Sequence, residues 1–248
     1  MVADAGTWVV LGASSAAARA FARLVGGRGC AVVLAGRDME DMERTAGDIR
    51  VRGAAVVRVV RFDALDSATD AALPAALEGL PGPVNLFLAF GIMPSQAEID
   101  ARPELVDAVM AANLSGAGRI LLRLAPLLEA QGRGHVVVLG SAAGDRGRLK
   151  NYVYGASKAG LHAFLQGYRA RMHRAGVHVL TVKPGFLDTA MTWAQGPLPL
   201  ALAPDDFAAL VMRAVERRAE VAYVPWPWRW IMTIIRAVPE RLFKRTNI

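Results

Sequence analysis

Short runs of apolar, often β-branched residues alternate along the chain with longer segments of helical periodicity. The runs predicted as strands lie near residues 7–12, 31–35, 55–60, 84–90, 135–140, 177–182 and 221–224. The longest helical patterns cover about residues 103–130 and 152–175. Strands that alternate with helices form parallel βαβ units. The pattern therefore predicts an α/β fold: one doubly wound domain with a parallel sheet of about seven strands flanked by helices.

The length and composition fit one large domain followed by a short tail. Of the 248 residues, 54% are apolar and 21% are charged, which is typical of a packed globular chain. Because the last predicted strand ends at residue 224, we assign residues 1–224 to the domain and residues 225–248 to the tail. The one cysteine, Cys30, excludes an internal disulfide, and no basic segment precedes the first apolar run. We therefore expect a cytoplasmic protein.

The formal charge of +7 is concentrated in the tail, where residues 225–248 hold five basic residues and one acidic residue. A basic excess confined to a tail does not indicate a nucleic-acid partner. At helical spacing the tail is amphipathic, and Pro239 should bend or divide it. One face holds Arg229, Thr233, Arg236, Glu240 and Lys244, and the other holds Trp228, Ile231, Met232, Ile235, Val238 and Leu242. Two interpretations stay open: contact with the inner face of the cytoplasmic membrane, or packing on the domain or a partner subunit.

The turn after the first predicted strand has the position of a dinucleotide site. Gly12 ends the strand, and Ser14, Ser15, Ala16 and Ala17 follow at the start of the first helix. Free N–H groups and the helix dipole at such an end would hold a pyrophosphate. An ordinary strand-to-helix connection capped by a serine has the same appearance, so this segment alone does not decide between the two.

Tyr154 and Lys158 lie one turn apart on the same face of a predicted helix. A positive charge near a phenol favours the phenolate and moves the tyrosine toward the acidity needed for proton transfer. Ser141 follows the fifth predicted strand, at the sheet edge where open α/β domains bind ligands, and its hydroxyl would hold a carbonyl oxygen. A Tyr-x-x-x-Lys pair alone is often a solvated helix face. The serine at the strand end favours a catalytic group.

With these landmarks the chain resembles the short-chain dehydrogenase/reductase family over about residues 7–224. The resemblance implies a Rossmann-like domain that transfers hydride between a nicotinamide and a carbonyl or alcohol carbon. Tyr154 would be the general acid, and Lys158 would lower its pKa and bind the nicotinamide ribose. Ser141 would polarise the substrate carbonyl, and Asn113 would hold a water of the proton relay. The implied cofactor-binding residues are Gly12, Ser14, Ser15, Ala16, Ala17, Arg37, Asp63, Ala64, Phe90, Gly91, Tyr154, Lys158, Pro184, Gly185, Leu187 and Thr189.

Segments 62–66, 89–91, 141–145, 153–161 and 231–248 are similar to one subgroup of that family, the reductases of decaprenylphosphoryl-2-keto-pentoses. Phe90 in particular stands where most of the family has a small residue. This resemblance implies a lipid-linked keto-sugar substrate, a flavin-dependent oxidase as partner, and a homo-oligomer. Two alternatives stay open: reduction of another lipidic or aromatic carbonyl compound, and a non-catalytic protein that senses a dinucleotide.

Two departures from the family pattern concern the cofactor. Ala16 and Ala18 stand where the family usually has its second and third glycines, and either would be strained if its φ were positive. After the second strand, Arg37 suits the 2′-phosphate of NADPH, whereas Asp38 keeps NADH open. We expect NADPH to be preferred, with NADH as the alternative.

Two further sets of residues bear on the substrate, and the histidines form a third set with another interpretation. The loop after Gly185 carries Phe186, Met191, Trp193 and Leu198, which fit an apolar lid. A cation near a substrate phosphate would come from Arg146, Arg148 or Lys150, unless these form a solvated loop. The histidines show no metal spacing and are interpreted as surface or strand-start residues; they are His135, His162, His173 and His178.

Overall fold

Seven parallel strands form one sheet in the computed structural model, which describes residues 6–188 and 200–246. The strand order is β3-β2-β1-β4-β5-β6-β7, with the order reversing between β1 and β4. The strands are β1 (Thr7–Leu11), β2 (Ala31–Gly36), β3 (Val57–Arg61), β4 (Val84–Leu88), β5 (His135–Leu139), β6 (His178–Pro184) and β7 (Val221–Val224). This confirms the predicted doubly wound α/β fold, in which ligands bind outside the carboxyl ends of the strands near the reversal.

Helices connect the strands and cover both faces of the sheet. They are α1 (Ala16–Gly26), α2 (Met39–Val51), α3 (Ala72–Leu77), α4 (Gln96–Ala101), α5 (Leu105–Met110), α6 (Gly116–Gln131), α7 (Tyr152–Arg174), α8 (Pro204–Glu216), α9 (Pro227–Ala237) and α10 (Glu240–Phe243). A π-helical turn, Ala111–Ser115, joins α5 to α6. Short 3₁₀ turns lie at Ser67–Ala71 and Ala142–Asp145.

Alternate residues of the strands enter two separate cores, which is why the strand sequences are apolar throughout. In β1, Trp8 and Val10 face the core under α1, α2 and α8. Val9 and Leu11 face the core under α3, α6 and α7. Both faces of the central strands are therefore buried, and the carboxyl edge of the sheet is the part left for a ligand.

The continuous helical segment Leu105–Gln131 is, within the described residues, long and apolar enough by length and composition to cross a membrane. Its apolar side chains have another explanation, because Ile120, Leu121 and Leu124 are buried against the sheet. A helix that covers a parallel sheet needs such an apolar stripe. We interpret the segment as a core helix.

Pro239 divides the tail, as predicted, so that α9 ends at Ala237 and α10 begins at Glu240. Part of the apolar face of α9 packs on the domain, where Trp228 and Met232 form a small core with Ala142. Arg146 fixes the end of α9 by donating hydrogen bonds to the carbonyl oxygens of Ile235 at 2.7 Å and Val238 at 2.6 Å. The tail is thus attached to the segment that follows β5.

Candidate active site

A cleft of about 1050 Å³ runs along the carboxyl edge of the sheet. The ends of β1, β4, β5 and β6 border it, so residues distant in sequence share one wall. The predicted site residues that line it are Gly12, Ser14, Ser15, Ala16, Ala17, Arg37, Asp63, Ala64, Phe90, Gly91, Ser141, Tyr154, Lys158, Pro184, Gly185 and Leu187. Thr189, and with it Met191, Trp193 and Leu198 of the predicted lid, lies outside the described residues.

The turn after β1 requires glycine at its first position. Gly12 has φ +79°, and a Cβ atom there would lie 2.7 Å from the backbone nitrogen of Phe90. Ala16 and Ala18 belong to α1, and neither is among the described non-glycine residues with positive φ. The two alanines therefore carry none of the strain that a positive φ would have caused.

The start of α1 offers groups that fit a pyrophosphate. Ser15 caps the helix, its hydroxyl accepting the N–H of Ala18 at 3.2 Å. The Oγ of Ser14 is buried and has no hydrogen-bond partner within the part of the chain that the structure describes. A buried hydroxyl normally has a partner, and a phosphate oxygen would supply one here. Arg19, which the sequence analysis overlooked, braces this turn by donating to the carbonyl oxygen of Ser14 at 2.7 Å.

At the other end of the predicted dinucleotide site, Arg37 is exposed beside the cleft and makes no ion pair with any described residue. Asp38 is engaged, because its carboxylate caps α2 by accepting the N–H of Asp41 at 2.9 Å. The Asp63 carboxylate accepts the N–H of Leu65 at 2.9 Å, which orients it at the cleft wall. Of these three side chains, Arg37 is the cation, and its charge is not paired with any described carboxylate.

The catalytic candidates meet on one side of the cleft. Tyr154 is hydrogen-bonded to Ser141, whose Oγ also accepts the N–H of Ala143 at 3.1 Å. Lys158 is buried, and its Nζ lies 5.9 Å from the centre of the Tyr154 ring and donates to the carbonyl oxygen of Leu139 at 3.1 Å. The predicted pairing of the phenol with the serine and the neighbouring amine is therefore present.

Burial governs the acidity of these groups. It raises the pKa of Tyr154, while the hydrogen bond to Ser141 and the charge of Arg148 oppose that rise. Burial also lowers the pKa of Lys158 to about 8. The sequence analysis gave the acidifying role to Lys158 alone. In the structure, the groups that oppose the rise are the Ser141 hydroxyl and the Arg148 guanidinium, and Lys158 is not among them, so its acidifying role stays a prediction.

Asn113 lies in the π-helical turn between α5 and α6 and faces the loop after β4. Its side-chain amide donates to the carbonyl oxygen of Ile92 at 2.9 Å and accepts the N–H of Ile92 at 2.8 Å. It also donates to Ser157 at 3.0 Å. A Cβ atom at Gly91 would lie 2.7 Å from the Asn113 oxygen, so the loop needs glycine there. Asn113 thus holds this loop beside Lys158 with both of its amide hydrogens in use, and its role toward a water stays a prediction.

Comparison with known protein sequences agrees with this fold. Residues 7–197 match the family described as short chain dehydrogenase. An uncharacterised oxidoreductase of Streptomyces coelicolor is 39% identical over 247 residues, covering 96% of this chain and 94% of that protein. An uncharacterised oxidoreductase of Mycobacterium tuberculosis is 35% identical over 218 residues, covering 88% of each. The chain belongs to the short-chain dehydrogenase family.

Solved structures of short-chain dehydrogenases have the same fold. A short-chain dehydrogenase from Sphingobium yanoikuyae, in complex with NADPH, superposes with a TM-score of 0.81 at 23% identity, over 95% of this chain and 97% of that one. A variant of actinorhodin polyketide ketoreductase with NADPH gives a TM-score of 0.79 at 24% identity, over 89% of this chain and 96% of that one. At these identities the likeness supports the fold of this short-chain dehydrogenase and does not identify its substrate.

One histidine of this short-chain dehydrogenase was misplaced by the sequence analysis. His162 was expected at the surface, but it is buried behind Ser141, whose N–H it accepts at 3.4 Å. Burial and the nearby Lys183 ammonium lower the pKa of His162 to about 4, although Asp145 opposes the shift. The imidazole is therefore neutral near pH 7, and it accepts a hydrogen bond from the backbone at Ser141. His178 is likewise buried, at the start of β6 as expected.

The three candidate cations between Ser141 and Tyr154 have different environments. Arg146 is used by the tail, where it also pairs with Glu240 at 3.0 Å, so it is not the predicted phosphate ligand. Lys150 is exposed and does not line the cleft. Arg148 lines the cleft and is partly buried. The structure thus reduces the predicted set to one residue.

The tail packs on the domain, which is one of the two interpretations left open by the sequence, and it lines the cleft beside the end of β6. The Trp228 indole lies directly over Gly185, where a Cβ atom would be 1.9 Å from the indole nitrogen. Phe186 packs against the same indole with ring centres 5.2 Å apart. Leu187 forms a bridge with Leu202 beyond this point. Among the described residues there is no group of three or more His, Cys, Asp or Glu side chains able to hold a metal ion.

Proposed function

We propose that this short-chain dehydrogenase uses NADPH to reduce the keto group of a lipid-linked keto-sugar, of the decaprenylphosphoryl-2-keto-pentose type, to the alcohol. The observation that carries the substrate class is the double role of α9. Its Trp228 is a wall of the cleft, whereas Trp226, Trp230 and Ile234 lie on the outside with exposed fractions of 69%, 61% and 67%. One helix therefore joins the reacting end of the cleft to an exposed apolar surface.

The exposed residues have the composition of a membrane-interface helix. Trp226, Trp230 and Ile234 are spaced four residues apart, so they form one stripe, and the exposed Arg229 and Arg236 lie on the same helix. Indole rings and basic residues are favoured where water meets lipid headgroups. A substrate with a polyprenyl chain resides in the bilayer, and docking of this stripe would bring the cleft to it. We therefore propose peripheral contact with the inner face of the cytoplasmic membrane.

NADPH is the cofactor that the described residues fit best. The unpartnered Ser14 hydroxyl and the start of α1 suit the pyrophosphate, and Arg37 is available for a 2′-phosphate. Asp38 caps α2 through one carboxylate oxygen and keeps NADH as the alternative. The NADPH in the two solved structures agrees with this choice. A bound nicotinamide would supply the hydride.

The protein side chains would donate the proton to the substrate oxygen and stabilise the negative charge that develops on it. Ser141 and Tyr154 present two hydroxyls on the same side of the cleft, where they hold the substrate carbonyl and support negative charge as it develops on the oxygen. Tyr154 then gives its proton to the alkoxide. Lys158, buried and held by Leu139, places a cation next to the phenolate that results. With a pKa of about 8, it is protonated at neutral pH.

The test is turnover by the purified protein and by two tyrosine variants. Decaprenylphosphoryl ribose and a flavin-dependent oxidase supply the keto-sugar in vesicles, and consumption of NADPH and formation of the arabinose lipid are followed. Tyr154→Phe should lower kcat by about 10²- to 10⁴-fold, because it removes the general acid. Tyr152→Phe is the matched control. Tyr152 lies two residues before Tyr154 on the same helix, but its side chain is exposed and its hydroxyl donates to Asp100.

Each alternative gives a distinct result. Turnover that survives in Tyr154→Phe would contradict the mechanism. Reduction of lipidic or aromatic ketones without reduction of the keto-sugar would replace the substrate and keep the mechanism. NADPH binding without turnover of any ketone would make the protein a dinucleotide sensor. Replacing Trp226 and Trp230 by serine should reduce turnover in vesicles and leave turnover in detergent unchanged; equal loss in both would contradict the membrane contact.

A further inference from the structure

The cleft contains most of the unsatisfied polar atoms in the described part of the protein. In the described residues, five buried side-chain N or O atoms have no hydrogen-bond partner. Four of the five belong to residues that line the cleft, and the fifth belongs to Asp41. Ser14 is at the pyrophosphate end. The other three are Arg148 Nε, Asn151 Oδ1 and Trp228 Nε1, which lie on the substrate side with Tyr154. Folded proteins rarely leave such atoms without partners, so this side is suited to a polar ligand.

Arg148 is an unusual cation for this position. It is partly buried, burial lowers the pKa of its guanidinium, and it forms no ion pair with any residue in ranges 6–188 and 200–246. The acidic residue in its surroundings, Asp145, is already bound by Lys183 at 2.5 Å and by the Tyr223 hydroxyl at 2.6 Å. A desolvated guanidinium without a carboxylate is costly unless a ligand supplies the anion.

We propose that Arg148 forms a subsite for an oxyanion carried by the substrate, either a phosphate ester or a carboxylate, and that the neighbouring Asn151 amide oxygen accepts from a hydroxyl of the same ligand. The planar guanidinium presents a fork of donors that matches two oxygens of such a group. Asn151 lies three residues further on the same turn, and its N–H donates to the carbonyl oxygen of Arg148 at 3.1 Å. The subsite shares the cleft with Tyr154, which follows Asn151 by three residues in the chain.

This inference rests on the proposed function only for the identity of the anion, which would there be the phosphate of the lipid-linked sugar. The subsite itself requires only the geometry around Arg148. It also differs from a purely electrostatic role, in which the Arg148 charge would act on Tyr154 and affect anionic and neutral ligands alike.

The experiment measures binding and not turnover, so that its outcome is independent of the proposed function. The NADPH-loaded protein is titrated calorimetrically with octyl phosphate, octanoate and octanol. We expect at least one of the two anions to bind 10-fold or more tightly than octanol. Arg148→Gln should weaken the anion by about 10- to 100-fold and leave octanol within twofold. Lys150→Gln, which removes an exposed cation from the same loop, should leave all three unchanged.

The subsite would be overturned by equal binding of the anions and octanol to the wild-type protein, or by anion binding in Arg148→Gln equal to that of the wild type. An equal loss for octanol and the anions would also overturn it, because the loop would then have lost its shape. If Arg148→Gln does not fold, Arg148→Lys decides. It keeps the charge without the fork, so we expect intermediate anion affinity, and unchanged affinity would count against guanidinium recognition.

Discussion

Replacing Gly12 by alanine tests whether the turn after β1 is fixed by its surroundings. The residue has φ +79°, in the left-handed region, and its α-carbon faces the chain that leaves β4. A Cβ atom would lie 2.7 Å from Phe90 N, 2.8 Å from Phe90 Cβ and 2.9 Å from the carbonyl carbon of Ala89. That backbone cannot withdraw easily, because the N–H of Ala89 donates to the carbonyl oxygen of Leu11 at 2.9 Å.

The expected loss of stability has two parts. An L-residue with left-handed φ costs about 1–2 kcal/mol. Forcing a methyl group against backbone in a close-packed region costs about 1–3 kcal/mol more. Gly29 offers a matched control, because its φ is +82° and a Cβ atom there meets nothing within 4 Å. Gly29→Ala should therefore show only the first part, and Gly12→Ala should lose roughly 2–5 kcal/mol in total.

Denaturant unfolding of the two variants and the wild type measures the difference directly. We expect both midpoints to fall, Gly12→Ala by clearly more, with unchanged slope against urea. NADPH titration adds a functional measurement: affinity should fall in Gly12→Ala and stay unchanged in Gly29→Ala. Equal destabilisation of the two variants would refute the steric part. Unchanged NADPH affinity in a folded Gly12→Ala protein would refute the place of this turn in the cofactor site.

Two further predictions concern Arg37 and His162. Arg37→Ala should raise the KM for NADPH by about tenfold or more and leave the KM for NADH nearly unchanged, because it removes a charged partner of the 2′-phosphate. Equal effects on the two KM values would contradict the NADPH assignment. Arg44→Ala, at an exposed position of α2, is the control. The pKa of His162 is about 4 in the folded protein and near 6.5 in the unfolded chain, so between these values the unfolded chain binds a proton that the folded protein does not. The His162 contribution to the free energy of unfolding is therefore complete above pH 6.5, and that free energy falls by up to about 3 kcal/mol toward pH 4. His162→Gln should flatten that part of the stability curve measured by urea unfolding, whereas His173→Gln, at an exposed position of the same helix, should keep the wild-type slope.

The fold could be predicted closely because the local and tertiary requirements agree. Each predicted strand differs from the observed one by at most two residues at either end. Central strands buried on both faces must be apolar throughout, and helices that cover them need one apolar stripe. The segment around Asn113 is the main irregularity. A π-helical turn there adds a residue to one turn of an otherwise continuous helix, and periodicity does not register so small a change.

The candidate catalytic residues could be located from the sequence because they lie on one helix and at one strand end. Tyr154 and Lys158 are a turn apart, and His162 continues the same spacing, which is a signal that the sequence analysis did not use. The orientation of Arg146 toward the tail and of Arg148 toward the cleft could not be predicted, because it depends on the position of α9, about ninety residues later in the chain.

The position of α9 explains why the reaction is easier to infer than the substrate. The family match ends at residue 197, and α9 begins at Pro227, so a wall of the substrate side lies outside the matched region. Arg146 holds that helix through the carbonyl oxygens at its end, and Trp228 lies over Gly185. Because the wall is anchored both to the segment after β5 and to the turn after β6, its shape is fixed relative to Ser141 and Tyr154. We therefore expect a change in α9 to alter which compound reaches the Ser141 and Tyr154 hydroxyls without altering the hydroxyls themselves. This is the division of roles expected when specificity and chemistry reside on different parts of one fold.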